Sequence, residues 1–434
     1  MAATPSFAME TIGSSLGTAL TAEVRSDPEL AVFYRARANK TLWVQDGRLR
    51  PEAEQVLRLI EGAAADGLNP ASYAPDELRR AMAAAQGGAP ADLARAETLL
   101  SRAVTAYARD LRRPNAAAGI TYVDADLAPD PMHPRATLQM LASAPSLAAG
   151  LAQVTSVNPL YADLKRAYTK ALAAGGVPRD QQDRVRASLE RLRGLPSELG
   201  SKFVLVDAAS ARLWMYENGK PVGSMRVVVG RQGEETPLLA AQIRHLSLNP
   251  YWNVPADLVR RIIAPAVLKQ GPGYLRSAGY EVLTDWSEGA RTRDPAEIDW
   301  SAVAAGTVDL PVRQLPGPRN SMGQVKFMFP NQHGVYLHDT PNRELFAEAD
   351  RRRSAGCVRL EDAPRLAAWL LGRPHQAKSS QPEQVVPLAD RVPVYITYLT
   401  AMPEQGKIVF NNDHYGRDRV LLARLPGQNY ASAN

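Results

Sequence analysis

The chain changes character at Phe203-Val204-Leu205-Val206-Asp207, a short apolar run of strand type just after Leu195-Pro196. Leu213–Glu217 and Met225–Val229 continue it, and Asn218-Gly219 between them is a strong two-residue hairpin signal. Ile243–Leu248, Val325–Phe329, Gly334–His338 and Pro393–Leu399 read as further strands, and Asp362–Leu371 as a helix. Between Pro255 and Asn320 the pattern turns irregular, with Pro-, Gly- and Arg-rich pieces and one helix near Ala256–Lys269. A loop that long inside a compact domain suits a lid.

Upstream the periodicity is helical. Pro51 opens a segment with Ala53, Val56, Leu57 and Ile60 at helical spacing, and Asp66-Gly67-Leu68-Asn69-Pro70 breaks it. Leu93–Leu111, Tyr161–Leu172 and Gln181–Leu192 are further amphipathic stretches. The expected class is therefore α+β. A helical domain spans residues 1–195, and a mainly β domain spans 196–425 with a capping insertion at 255–320.

The 434 residues are 45% hydrophobic and 22% charged, which leaves enough apolar surface for a core and excludes a wholly disordered chain. A net charge of +6 permits an anionic partner, but no basic block or nucleic-acid motif accompanies it, so no nucleic acid is expected. The one cysteine excludes intrachain disulfides and Cys-rich metal sites, and the six histidines form no HExxH motif. Neither a metal nor a cofactor is expected. The longest uncharged stretch, Ala136–Ala162, carries Pro145, Gly150 and Pro159 and does not read as a membrane span. Met1–Met9 lacks a basic segment followed by an apolar one, which fits either a cytoplasmic protein or one whose signal peptide has been removed.

Cys357 is the residue with most chemical promise. It lies in Ser354-Ala355-Gly356-Cys357-Val358-Arg359, where Gly356 permits a tight turn. Arg351, Arg352, Arg353 and Arg359 surround it in sequence and would favour the thiolate. A buried, inert thiol is the competing reading. His338, 19 residues upstream, is the best candidate base. It ends Val335-Tyr336-Leu337-His338, whose alternation puts Tyr336 and His338 on one face. The competing reading is a structural His capped by Asp339.

Tyr336-Leu337-His338-Asp339-Thr340-Pro341 followed by Ser354-x-Gly356-Cys357-Val358-Arg359 resembles the signature of L,D-transpeptidases with a YkuD-type catalytic domain. Trp252-Asn253-Val254-Pro255, Gln314-Leu315-Pro316-Gly317-Pro318, Gly323-Gln324-Val325-Lys326-Phe327 and Asp413-x-Tyr415-Gly416 resemble the large Gram-negative YcbB-like branch. Asp66-Gly67-Leu68-Asn69-Pro70-x-x-Tyr73 is similar to that branch's helical scaffold. Two departures stand out. Ala355 replaces the usual His or Ser, and only about 35 residues separate Tyr161 from Pro196 where relatives insert a peptidoglycan-binding module.

The resemblance implies a periplasmic enzyme acting on peptidoglycan stem peptides, both donor and acceptor, and acylated by carbapenems. Cys357 would attack the diaminopimelate carbonyl and expel D-alanine, with His338 moving the proton. The N–H groups of Gly356 and Cys357, with Tyr336 nearby, would hold the oxyanion. Arg359, Trp252 and Ser354 are the candidate substrate contacts. For Arg359 an ion pair with Glu361 or Asp362 is an equal alternative, and Trp252 could instead pack the base of the lid. The product would be a 3–3 or a 1–3 cross-link. The competing functions are L,D-carboxypeptidase or endopeptidase hydrolysis, and a non-catalytic wall-binding scaffold.

Overall fold

The computed structural model describes residues 6–375, 377 and 379–425, so Met1–Pro5 of the N-terminal stretch read above lie outside it. Two compact units emerge. One contains the chain up to Ile120, Ala128–Leu199 and the chain from Leu399. The other contains Thr121–Leu127 and Gly200–Tyr398.

The first unit is helical. Its longest helix, Pro90–Leu111, buries Leu93, Leu100, Val104, Tyr107 and Ala108 along one face, as the periodicity requires. Glu97 sits fully buried on that helix and accepts from the Tyr34 hydroxyl at 2.7 Å and the Trp43 N–H at 2.9 Å. Burial pushes its carboxyl up to about 6, against the pull of these donors. Pro159–Ala173 and Arg179–Arg193 flank the expected Gly-Pro break. The C-terminal part packs here: the Ala401 N–H donates to Ser188 Oγ at 2.9 Å, and Asp418 pairs with buried Arg191. The sequence had suggested that residues to about 425 go with the β domain. These contacts explain why the helical unit takes them instead.

The second unit is built on a sheet of β1 (Lys202–Asp207), β2 (Arg212–Glu217), β3 (Lys220–Gly230), β4 (Leu239–Leu248), β5 (Val325–Met328), β6 (Leu337–His338), β7 (Val358–Leu360) and β8 (Gln384–Thr397). The order is β5-β6-β7-β3-β2-β1-β8-β4, and β4 pairs again with β5, so these eight strands close on themselves. Asn218 and Gly219 form the β2–β3 turn with positive φ, as that dipeptide favours. Inward-facing Val206, Leu213, Val227, Phe327, Leu337, Val358 and Ile396 fill the core with no exposure to solvent.

The insertion is not irregular. Trp252–Val254, Val312–Gln314 and Tyr280–Val282 make a separate antiparallel sheet with Val312–Gln314 in the middle. Helical turns run without a gap from Ala256 to Gln270, with one π turn at Val259–Ile263. Leu258, Ile263, Val267, Leu275, Trp300, Val303 and Val312 form a core of its own. These apolar residues are spread among prolines and glycines over many short elements, which hides the pattern in the sequence. Trp300 also donates from its ring N–H to the Pro295 carbonyl at 2.9 Å. Trp300→Ala should destabilise the insertion by about 3 kcal/mol, read as increased amide exchange over residues 256–305 with β1–β3 unchanged. Exchange that rises equally everywhere would mean the insertion does not unfold as a unit.

Candidate active site

Register places the key side chains. β5 and β6 pair antiparallel with Lys326 opposite His338, and β6 and β7 run parallel with His338 opposite Arg359. Lys326, His338 and Arg359 therefore form one row across three strands, on the face opposite buried Phe327, Leu337 and Val358. Cys357 immediately precedes β7. Its loop and His338 line a cavity of about 560 Å³, together with Arg359, Trp252, Pro255 and Leu258.

His338 is 1% exposed, and its Nδ1 lies 2.5 Å from the Asp339 carbonyl oxygen. A carbonyl only accepts, so Nδ1 carries the proton and Nε2 of the neutral ring keeps its lone pair. Burial, with Arg359 and Lys326 adding to it, pushes the imidazolium pKa down to about 3. Asp339 is itself clamped: its N–H donates to the Val325 carbonyl and its Oδ2 accepts from the Gln324 N–H, both at 2.9 Å.

Cys357 is half-buried, and its Sγ lies 3.7 Å from the Gly334 carbonyl oxygen. Burial raises its pKa above the ordinary thiol value; the Tyr336 backbone N–H, Arg359 and Lys326 partly offset this. The resting pair is thus a thiol and a neutral imidazole. The arginine-rich surround expected from sequence is mostly spent elsewhere. Arg351 binds the Ser210 and Ala211 carbonyls, Arg352 pairs with Asp350, and Arg353 with Glu348. Only Arg359 of the four acts on the sulfur. Its guanidinium meets no carboxylate at ion-pair distance among the described residues, because Glu361 is taken by Arg226 and Asp362 by Arg365.

The turn at Cys357 is held from inside. Gly356 has φ 109°, a conformation side chains disfavour. Ser354, 3% exposed, donates to the Cys357 carbonyl at 2.6 Å and accepts from the Gly356 N–H at 3.2 Å. The Gly356 N–H expected to face an oxyanion is therefore already engaged. The Ser354 hydroxyl expected to meet substrate is likewise occupied in the turn. The Cys357 N–H has no partner among the described residues. Tyr336 is absent from the cavity wall, which Val335 lines instead. β6 is only two residues long, so strand alternation does not reach back to Tyr336. Trp252 faces the cavity and also packs on the core of the insertion.

One residue the sequence reading passed over is Thr236. Its buried hydroxyl donates to the Gly356 carbonyl at 2.9 Å and accepts from the Gly230 N–H at 2.9 Å. Gly230 must lack a side chain, since a Cβ would fall 2.6 Å from the Thr236 backbone nitrogen. Among the described residues no cluster of three or more His, Cys, Asp or Glu could hold a metal, and no helix is long and apolar enough to cross a membrane.

The β unit that carries the Cys–His cavity and the helical unit each contain a stretch that matches a known family. Residues 201–396 match the L,D-transpeptidase catalytic domain (YkuD), and residues 28–167 match the Scaffold domain. The chain thus carries a YkuD-family L,D-transpeptidase catalytic domain together with a Scaffold domain. A curated Haemophilus influenzae protein, "Putative L,D-transpeptidase", is 33% identical over 239 residues, 54% of this chain and 47% of the relative. The match spans about half the length of that relative. Among solved structures, "L,D-transpeptidase from Mycobacterium smegmatis" aligns at 13% identity and TM-score 0.23, covering 47% of this chain and 62% of that one. "Structure of the Ldtfm-avibactam carbamoyl enzyme" aligns at 11% and 0.23, covering 51% and 64%.

The neutral imidazole has a measurable signature. His338 titrates near 3 when folded and near 6.5 when unfolded, so the unfolded chain binds the extra proton between these values. Stability should therefore fall as pH drops below about 6.5, on the order of 1 kcal/mol per pH unit from this group. His338→Gln should show a shallower fall between pH 7 and 5 by urea unfolding. Equal slopes in both proteins would contradict a buried neutral ring.

Proposed function

We propose that this protein is a peptidoglycan L,D-transpeptidase that forms cross-links through a Cys357 thioester, working in the periplasm. The observation that carries the reading is the shared cavity: a half-buried thiol and a neutral histidine with a bare Nε2, inside a YkuD-family domain. Cys357 Sγ attacks the donor carbonyl as His338 Nε2 takes the thiol proton. The proton passes to the leaving amine, D-alanine departs, and the thioester remains. The acceptor's diaminopimelate amine then attacks the thioester, His338 takes its proton, and the thiol is regenerated. The Cys357 N–H is the donor left free for the oxyanion, and unpaired Arg359 suits a substrate carboxylate. A 3–3 bond is the expected product.

The insertion acts as the cap. Its Pro255, Asp257 and Leu258 wall the cavity, and its Arg261 pairs with Glu234 on the loop after β3. Burial would raise the Glu234 carboxyl, but Arg231 and Arg261 outweigh it and hold it below the usual range. A cap closed by this pair would exclude water and favour the amine over hydrolysis.

With purified tetrapeptide muropeptides, wild type should yield dimers and Cys357→Ala nothing. Tripeptide monomers alone would favour the carboxypeptidase reading, and activity surviving in Cys357→Ala would sink the assignment. A carbapenem should add one drug mass to wild type and none to Cys357→Ala, whereas an adduct on both would be non-specific. Arg261→Ala should raise the tripeptide-to-dimer ratio at least about twofold, measured by liquid chromatography of the same digest. An unchanged ratio would remove the cap's role in excluding water.

A further inference from the structure

One charged group beside the site is unused by the mechanism above. Lys326 lies opposite His338 in the β5–β6 register, and its Nζ sits over the Tyr336 ring, 5.0 Å from the centroid. No carboxylate reaches ion-pair distance of it among the described residues. Arg359 occupies the next place in the same row, so the imidazole stands between two cationic side chains. The other titratable groups near Lys326 are His245 on β4, Tyr336 just before β6, Cys357 just before β7, Arg359 on β7, and Glu383 before β8. Glu383 accepts from the Ser247 hydroxyl at 3.1 Å and the Tyr251 N–H at 2.8 Å, and makes no ion pair with the lysine.

We propose that Lys326 is a positioning residue that, seated on the Tyr336 ring, steadies negative charge on the Cys357 sulfur as the thiol gives up its proton. An ammonium over an aromatic face is fixed without a counter-ion, so its charge stays available to a neighbour. A lysine paired with a carboxylate would contribute little. The direction of its influence agrees: Lys326 lowers the pKa of both Cys357 and His338. That combination makes the thiol easier to ionise while it keeps the base neutral. Arg359 alone cannot serve both sulfur and substrate carboxylate, because a bound carboxylate neutralises it. Lys326 would remain charged through the whole cycle.

The inference rests on the acyl-transfer reading, but its test does not. Cys357 is the chain's single thiol, so iodoacetamide labelling followed by intact mass reads it alone. The pH midpoint of that rate should rise by about 0.5 to 1 in Lys326→Gln, making labelling about three- to tenfold slower at pH 7. Lys326→Arg should return it to the wild-type midpoint. Tyr336→Leu, which removes the seat, should raise it by a smaller amount and serves if Lys326→Gln does not fold. An unchanged midpoint in Lys326→Gln or Tyr336→Leu, or an arginine variant that behaves like glutamine, would overturn the proposal. A shifted midpoint in a protein that makes no cross-links would count against the acyl-transfer reading and leave Lys326's role standing.

Discussion

A single hydroxyl, Thr236 Oγ1, joins the strand that ends at Gly230 to the turn that carries Cys357. Everything at the site depends on that bridge. The turn contains a glycine at φ 109° and a carbonyl facing away from solvent, and both need an outside partner to persist. Thr236 supplies it from one side and Ser354 from the other, through the Gly356 N–H and the Cys357 carbonyl. The result is a thiol held at fixed height above the sheet, with one backbone donor left over.

The electrostatics follow from the same construction. The site does not store a thiolate–imidazolium pair. Burial keeps both partners uncharged, and the cations sit at the row's two ends rather than beside a permanent anion. In the proposed acyl transfer, charge would develop only when substrate is in place, where fixed donors and cations meet it without reorganising. His338 is oriented by a backbone carbonyl, not a carboxylate, and the pull of that carbonyl toward the imidazolium is outweighed by burial.

Much of this was legible in the sequence, for local reasons. Asn218-Gly219 announced its hairpin because the turn needs positive φ at both residues, and Pro51, Pro178 and Leu195-Pro196 marked true element ends. Cys357 and His338 stood out because few other residues offer nucleophilic chemistry. What escaped was non-local. Lys326 gains meaning only through its register with His338, and Thr236 only through a contact spanning 120 residues. Arg351, Arg352 and Arg353 looked like a thiolate environment because adjacency in sequence was read as adjacency in space. Their partners, Ser210, Asp350 and Glu348, could not be inferred from composition.

The closed ring and the buried turn leave the thiol protonated at rest. A protonated thiol reacts slowly with peroxide, because oxidation to sulfenic acid proceeds from the thiolate. With no second cysteine to trap a sulfenic acid as a reducible disulfide, oxidation here would run on to irreversible sulfinic acid. The same burial that slows ionisation therefore protects the one sulfur the chain cannot replace.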